Sequence, residues 1–152
     1  MKRLITNEPG WTTVITPSDT NRTNNTLADD PYLFVPMEAN KGYFIDLFAV
    51  LFIRNNPDFK YTITVPSGGF WRTMQRITVW SSTITQDVAT SAPSAVVISA
   101  TGDAYGLLRL TGPYSNGATP GNFMLQWAQN TTDAVNSAQV VAGSMIRYCQ
   151  FN

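Results

Sequence analysis

The segment Phe59-Lys60-Tyr61-Thr62-Ile63-Thr64-Val65 decides the fold class. Successive side chains of an extended chain point to opposite faces, so Phe59, Tyr61, Ile63 and Val65 share one side and Lys60, Thr62 and Thr64 the other. This is a strand with one face in a core and the other wet or in an interface. Upstream, Asn55-Asn56-Pro57-Asp58 supplies residues that bend a chain, so residues 43–65 are predicted to form a hairpin.

Its first arm breaks the alternation. Phe44, Phe48, Val50 and Phe52 fall on one face, and Tyr43, Ile45, Leu47, Ala49, Leu51 and Ile53 on the other, so both faces are apolar. In a two-layer sandwich such a strand needs a cover over its outer side. With no helix legible in the chain, a neighbouring subunit or the N-terminal segment is the expected cover. The run is shorter than the roughly 20 apolar residues of a spanning helix, and it contains Asp46, so it is read as a core element.

Further strands are predicted at Thr12 to Thr16, Tyr32 to Val35, Arg76 to Trp80, Ile84 to Val88, Ala95 to Ala100, Ala104 to Thr111, Asn122 to Gln129, Ala138 to Val141 and Met145 to Phe151. Short β-branched and aromatic runs bounded by Gly, Pro, Asn or Asp are the pattern of an all-β sandwich or barrel. Residues 1–30 are rich in Thr, Asn and Asp, which bond their own backbone in competition with regular structure. They are read as an extended N-terminal arm and loop, and residues 31–152 as the β-sandwich domain. For 152 residues the surface scaling rules give about 7,600 Å² of folded surface, enough burial for one self-sufficient domain.

Composition removes several function classes. The chain has no His and one Cys, which excludes the usual triads, His-ligated metals and any disulfide within the chain. Cys149, in an alternating run, is read as a small strand side chain. Ten Lys and Arg against ten Asp and Glu give no excess positive charge for neutralising phosphates, so no nucleic-acid partner is expected. Asp29-Asp30 is the adjacent carboxylate pair, but neighbours on a strand diverge and do not make a catalytic dyad. No calcium-loop spacing and no phosphate-cradling glycine loop is present, so neither enzyme activity nor a cofactor is expected. No secretory signal is read at the start, and synthesis in the cytoplasm without a membrane partner is expected.

Aromatic residues are the abundant resource. Ser67-Gly68-Gly69-Phe70-Trp71-Arg72-Thr73-Met74 pairs a flexible Gly step with residue types enriched in interface cores, or packs its Phe and Trp under a loop. The candidate assembly interface is therefore Leu4, Trp11, Phe44, Phe48, Phe52, Phe70, Trp71 and Met74. Trp127 shares its strand face with Phe123 and Leu125 and is assigned to the core.

Several pieces then look alike to one family. Leu125-Gln126-Trp127-Ala128-Gln129-Asn130, Thr131-Thr132-Asp133-Ala134, Ala138-Gln139-Val140-Val141 and Ala142-Gly143-Ser144-Met145-Ile146-Arg147 resemble small virion structural proteins of tailed bacteriophages. Asp29-Asp30-Pro31-Tyr32-Leu33-Phe34-Val35, Ala39-Asn40, Tyr43-Phe44 and Asp58-Phe59-Lys60 fit the same pattern, which covers about residues 26–147. The resemblance implies a jelly-roll-like antiparallel β-sandwich without enzymatic activity, commonly a homotrimer. It implies a capsid decoration (cement) protein on the capsid exterior of the virion, bound to the major capsid protein. Three copies would pack through apolar sandwich faces, and the arm from Met1 to Trp11 would add as a strand to a capsid segment or an adjacent copy, with Leu4 and Trp11 filling pockets. The alternative is a tail- or fibre-associated module recognising host-surface glycans through Tyr105, Tyr114 and Trp71.

Overall fold

The computed structural model describes residues 4–8, 10–80, 88–90 and 95–151. In chain order the strands are β1 Leu4–Glu8, β2 Trp11–Ile15, β3 Thr20–Arg22, β4 Ala28–Met37, β5 Gly42–Ile53, β6 Phe59–Thr64, β7 Phe70–Trp71, β8 Thr73–Val79, β9 Val88–Thr90, β10 Val96–Ile98, β11 Ala104–Ser115, β12 Gly121–Gln129, β13 Ala138–Val140 and β14 Met145–Phe151. Among the described residues there is no helix. Of the strand expected at Ile84 to Val88, all but the last residue lies outside the described residues.

The larger sheet runs β1-β2-β14-β5-β11-β8-β9, with β7 joined to β11, β13 to β5 and β3 to β13. The smaller runs β10-β6-β12-β4. Every pairing is antiparallel. The all-β sandwich expected from the alternating segments is thus what the chain adopts. Phe59, Tyr61 and Ile63 of β6 are buried against the inner face of β5, from Tyr43 to Ile53, in one apolar core. The exposed surface is 7476 Å², ordinary for a single chain of this mass.

The predicted hairpin is corrected. β5 lies in the larger sheet and β6 in the smaller, so residues 54–58 carry the chain across the sandwich instead of folding it back on itself. Asp58 turns the corner with φ 62, and the buried Pro57 offers its carbonyl to the N–H groups of Asn130 and Thr131 at 3.2 and 3.1 Å. Bend-forming residues specify a change of direction, not the edge that the next strand joins. Both edges of β5 are taken by β11 on one side and by β13 and β14 on the other.

The loose arm is corrected too. From Leu4 onward the leading segment is a hairpin, β1 on β2, and β2 pairs with β14 along the edge of the larger sheet. β3 then pairs with β13. β13 and β14 follow one another along the same edge of β5, so the link between them is a kink. At that kink Gly143 has φ 83, Val50 N–H donates to Ser144 Oγ at 2.9 Å, and Thr16 Oγ1 donates to the Ser144 carbonyl at 2.9 Å. Asp19 Oδ1 accepts the Ala142 N–H at 2.8 Å. Thr and Asp, read as loop formers, here bridge two kinked ladders. Residues 4–8 and 11–15 are therefore built into the chain's own sheet, with β1 at its edge.

Tyr61 has no exposed surface, its hydroxyl has no hydrogen-bond partner, and burial pushes its pKa up. A buried unsatisfied polar group costs stability. Tyr61→Phe removes that hydroxyl and is expected to leave stability unchanged or raise it by up to about 1 kcal/mol, measured by urea denaturation.

Candidate interaction surface

The outer face of the larger sheet follows from strand parity. The residues of β5 that do not enter the core are Phe44, Asp46, Phe48, Val50 and Phe52. Their partners across β11 are Pro113, Thr111, Arg109, Leu107 and Tyr105. Across β14, Cys149, Arg147 and Met145 stand opposite Phe44, Asp46 and Phe48. Trp11, Thr13 and Ile15 of β2 extend the face on one side, Arg76 and Thr78 of β8 on the other. The double apolarity of β5 thus resolves into a sealed inner row and an outer row partly in water, with Phe44 36% exposed.

Two features organise this face. The first is aromatic. Phe52 packs on Tyr105 with ring centroids 5.0 Å apart, Tyr105 on Trp80 at 5.8 Å, and Arg54 lies 4.7 Å over the Phe52 ring. Tyr105 is 47% and Trp80 69% exposed. At the other end Trp11 meets Phe44 edge-on at 6.0 Å.

The second is ionic, and sequence reasoning missed it. Asp46, nearly buried, accepts from Arg109 Nε at 3.2 Å and from Arg147 Nη2 at 3.0 Å. The Arg147 guanidinium also lies 5.0 Å over the Trp11 ring. A carboxylate set into an apolar row needs charged partners, because burying it alone is costly. That requirement was the available signal. Arg109 and Arg147 were not picked out because they lie 63 and 101 residues away in the chain.

The predicted interface residues divide. Trp11, Phe44, Phe48 and Phe52 share the outer face. Phe70, 54% exposed, joins its margin opposite Ser115, where Phe70, Arg72, Pro113 and Ser115 line an open cleft of about 250 Å³. Leu4 and Met74 stand at register positions opposite Ile15 and Thr111, and for these two the backbone placement is what is described. Trp71 is corrected: it is 3% exposed and packs edge-on against Phe123 at 4.9 Å. On a strand, neighbours face opposite ways, so Phe70 outside puts Trp71 inside. Tyr114, offered for glycan recognition, is also buried, donates to Asn116 Oδ1 at 2.8 Å, and has its pKa pushed up to about 12 by burial.

Asp29 and Asp30 diverge as expected for neighbours on a strand, with Asp29 exposed and Asp30 buried. They lie within β4. Asp30 Oδ1 accepts the N–H groups of Tyr32 and Leu33 at 2.9 and 2.8 Å, and its Oδ2 accepts the Trp127 indole N–H at 2.9 Å. Among the described residues no three His, Cys, Asp or Glu gather into a group able to hold a metal ion, and no helix is long and apolar enough to cross a membrane.

Two loop carboxylates, Asp133 half-buried and Asp103 exposed, link the loops to pH. The side chain and N–H of Asn136 and the N–H of Val135 hold Asp133 below its ordinary pKa, and Arg54 with the Asn55 N–H does the same for Asp103. A folded-state pKa below the unfolded value contributes stability above about pH 4 that is lost as pH falls through the folded value. Melting temperature is expected to fall as pH is lowered from 4 toward about 2, less steeply in Asp133→Ala, as thermal scans across that range will read.

Set beside protein-family models, curated proteins and solved structures, the chain matches none. The surface is therefore interpreted from its own chemistry.

Proposed function

We propose that the chain is a structural protein of a tailed-bacteriophage virion, a capsid decoration protein that binds and stabilises the major capsid protein lattice from outside as a homotrimer. The observation that supports attachment to the lattice is the outer face of the larger sheet, where Trp11, Phe44, Phe48, Phe52 and Tyr105 lie on neighbouring strands and Trp80 follows directly on β8. Large aromatic side chains with an arginine among them are the residue types that dominate binding energy at protein interfaces. Many weak contacts repeated over a lattice add up to tight attachment.

The test is the mass of the purified chain under native conditions, followed by its addition to undecorated heads of the phage that encodes it. A trimer that saturates the heads and raises their resistance to heat is the expected result. A monomer without affinity for heads would overturn the proposal.

The second reading, a tail- or fibre-associated module for host-surface glycans, draws on the exposed Tyr105 and Trp80 beside Phe52, since aromatic faces stack on sugars. Electron micrographs separate the two: copies spread over the head favour decoration, and density confined to a tail tip favours adhesion.

A further inference from the structure

The four central strands of the larger sheet, β14, β5, β11 and β8, carry three arginines and one carboxylate on their outer side: Arg147, Arg109 and Arg76, and Asp46. On these four strands that is a surplus of two positive charges, in a chain whose formal net charge is zero. Arg76 and Arg109 are direct cross-strand partners, an arrangement that is unfavourable between like charges. Arg109 and Arg147 share a single carboxylate and keep 49% and 45% of their side-chain surface in water. Five N–H donors on each guanidinium exceed what Asp46 can accept.

We infer that this face docks an unlike protein surface bearing clustered carboxylates, which the three arginines read between the aromatic ends of the sheet. The inference rests on the decoration reading and names the chemistry of the partner at that same face. Asp46 holds two of the guanidinium groups in place before the partner arrives, so little side-chain freedom remains to be lost on binding. The aromatic groups at Trp11–Phe44 and Phe52–Tyr105–Trp80 flank the arginines and supply apolar contact on either side. Guanidinium groups pair with carboxylates through parallel N–H donors, which fixes register as well as attraction.

Charge also argues against the other occupants. A second copy laid face to face would bring two such arginine clusters together, and like-charge juxtaposition is costly at an interface. Nucleic acid would find the arginines but no wider positive field, since the chain is neutral overall.

The test uses the intact chain, whose Trp11 ring lies under Arg147, and follows its tryptophan fluorescence against three probes: poly-L-glutamate, a single-stranded DNA oligonucleotide, and the protein itself at rising concentration. Saturable, salt-sensitive binding of poly-L-glutamate is expected, weakened about tenfold or more in Arg109→Gln/Arg147→Gln and unchanged in Lys60→Gln, whose lysine stands on the outer side of β6 in the smaller sheet. Equal loss in Lys60→Gln would show unspecific surface charge and overturn the inference. So would tighter binding of the oligonucleotide, self-association abolished by Phe48→Ser, or no binding of poly-L-glutamate. Circular dichroism of each variant confirms that it folds. On undecorated heads, wild-type binding that survives Arg109→Gln/Arg147→Gln overturns this inference alone, whereas failure of the wild type to bind overturns the decoration reading.

Discussion

Trp127→Ala is expected to lower stability by about 4 kcal/mol or more, the largest effect of any single substitution considered for this chain. The indole has no exposed surface and stacks on Phe59 with centroids 5.3 Å apart and planes 10° from parallel. The Arg22 guanidinium lies 4.7 Å from the ring centroid and donates through Nη2 to the Asp29 carbonyl at 2.7 Å. Burial pushes the Arg22 pKa down, and Asp30 and Asp29 oppose that shift. Truncation removes the apolar volume and opens a cavity, which together cost about 3–5 kcal/mol for a core Trp. It also takes the N–H from Asp30 Oδ2, leaving a buried carboxylate oxygen unpaired, and such a loss adds about 1–3 kcal/mol.

Trp127→Phe separates the two contributions. A six-membered ring remains and the donor goes, so a loss of about 1–3 kcal/mol is expected from the orphaned carboxylate, with a smaller cavity cost for the missing part of the indole. Guanidinium denaturation at neutral pH measures both variants, with an unchanged slope showing that the shift lies in stability. A loss under about 1 kcal/mol in Trp127→Ala would mean that the site collapses around the smaller side chain and that the Phe59–Trp127–Arg22 stack is not central to the core.

The same residues show which parts of the fold were legible. Phe59 to Thr64 was read correctly because its periodicity is local: alternate residues are buried, as the pattern of apolar positions requires. Trp127 was legible for the same reason. The larger sheet's edge was not, because β2 finds its partner in β14, at the far end of the chain, and nothing in a Thr-rich segment announces a ladder that distant. The corner at residues 54–58 announced a bend and left its destination open. At the interaction surface, parity alone placed Phe44, Phe48 and Phe52 together, whereas the arginines depend on register between strands that no local pattern sets. The outer side of the Tyr43 to Ile53 segment, expected to need a cover, instead sets aromatic and guanidinium groups beside one another on one face.

Asp46→Ala should have two opposite effects on that face. Removing the carboxylate leaves Arg109 and Arg147 beside one another without the charge that joins them. Breaking a fully buried pair from one side costs about 3–5 kcal/mol. Here both arginines are about half in water, so solvent screens part of the loss, and about 1–3 kcal/mol is expected. Arg109→Ala and Arg147→Ala should each cost less, since the other guanidinium still serves Asp46, and the double variant should exceed the sum of the single ones. Affinity for an acidic probe should move the other way. Freed from Asp46, the two guanidinium groups offer more positive charge to a partner, so Asp46→Ala is expected to bind poly-L-glutamate more tightly than the wild type at low salt, with the gain fading as salt rises. Denaturation and fluorescence titration on the same samples read the two effects together. Weaker binding in a variant that remains folded would show that Asp46 acts mainly by aiming the arginines, and that positioning outweighs net charge in what this face recognises.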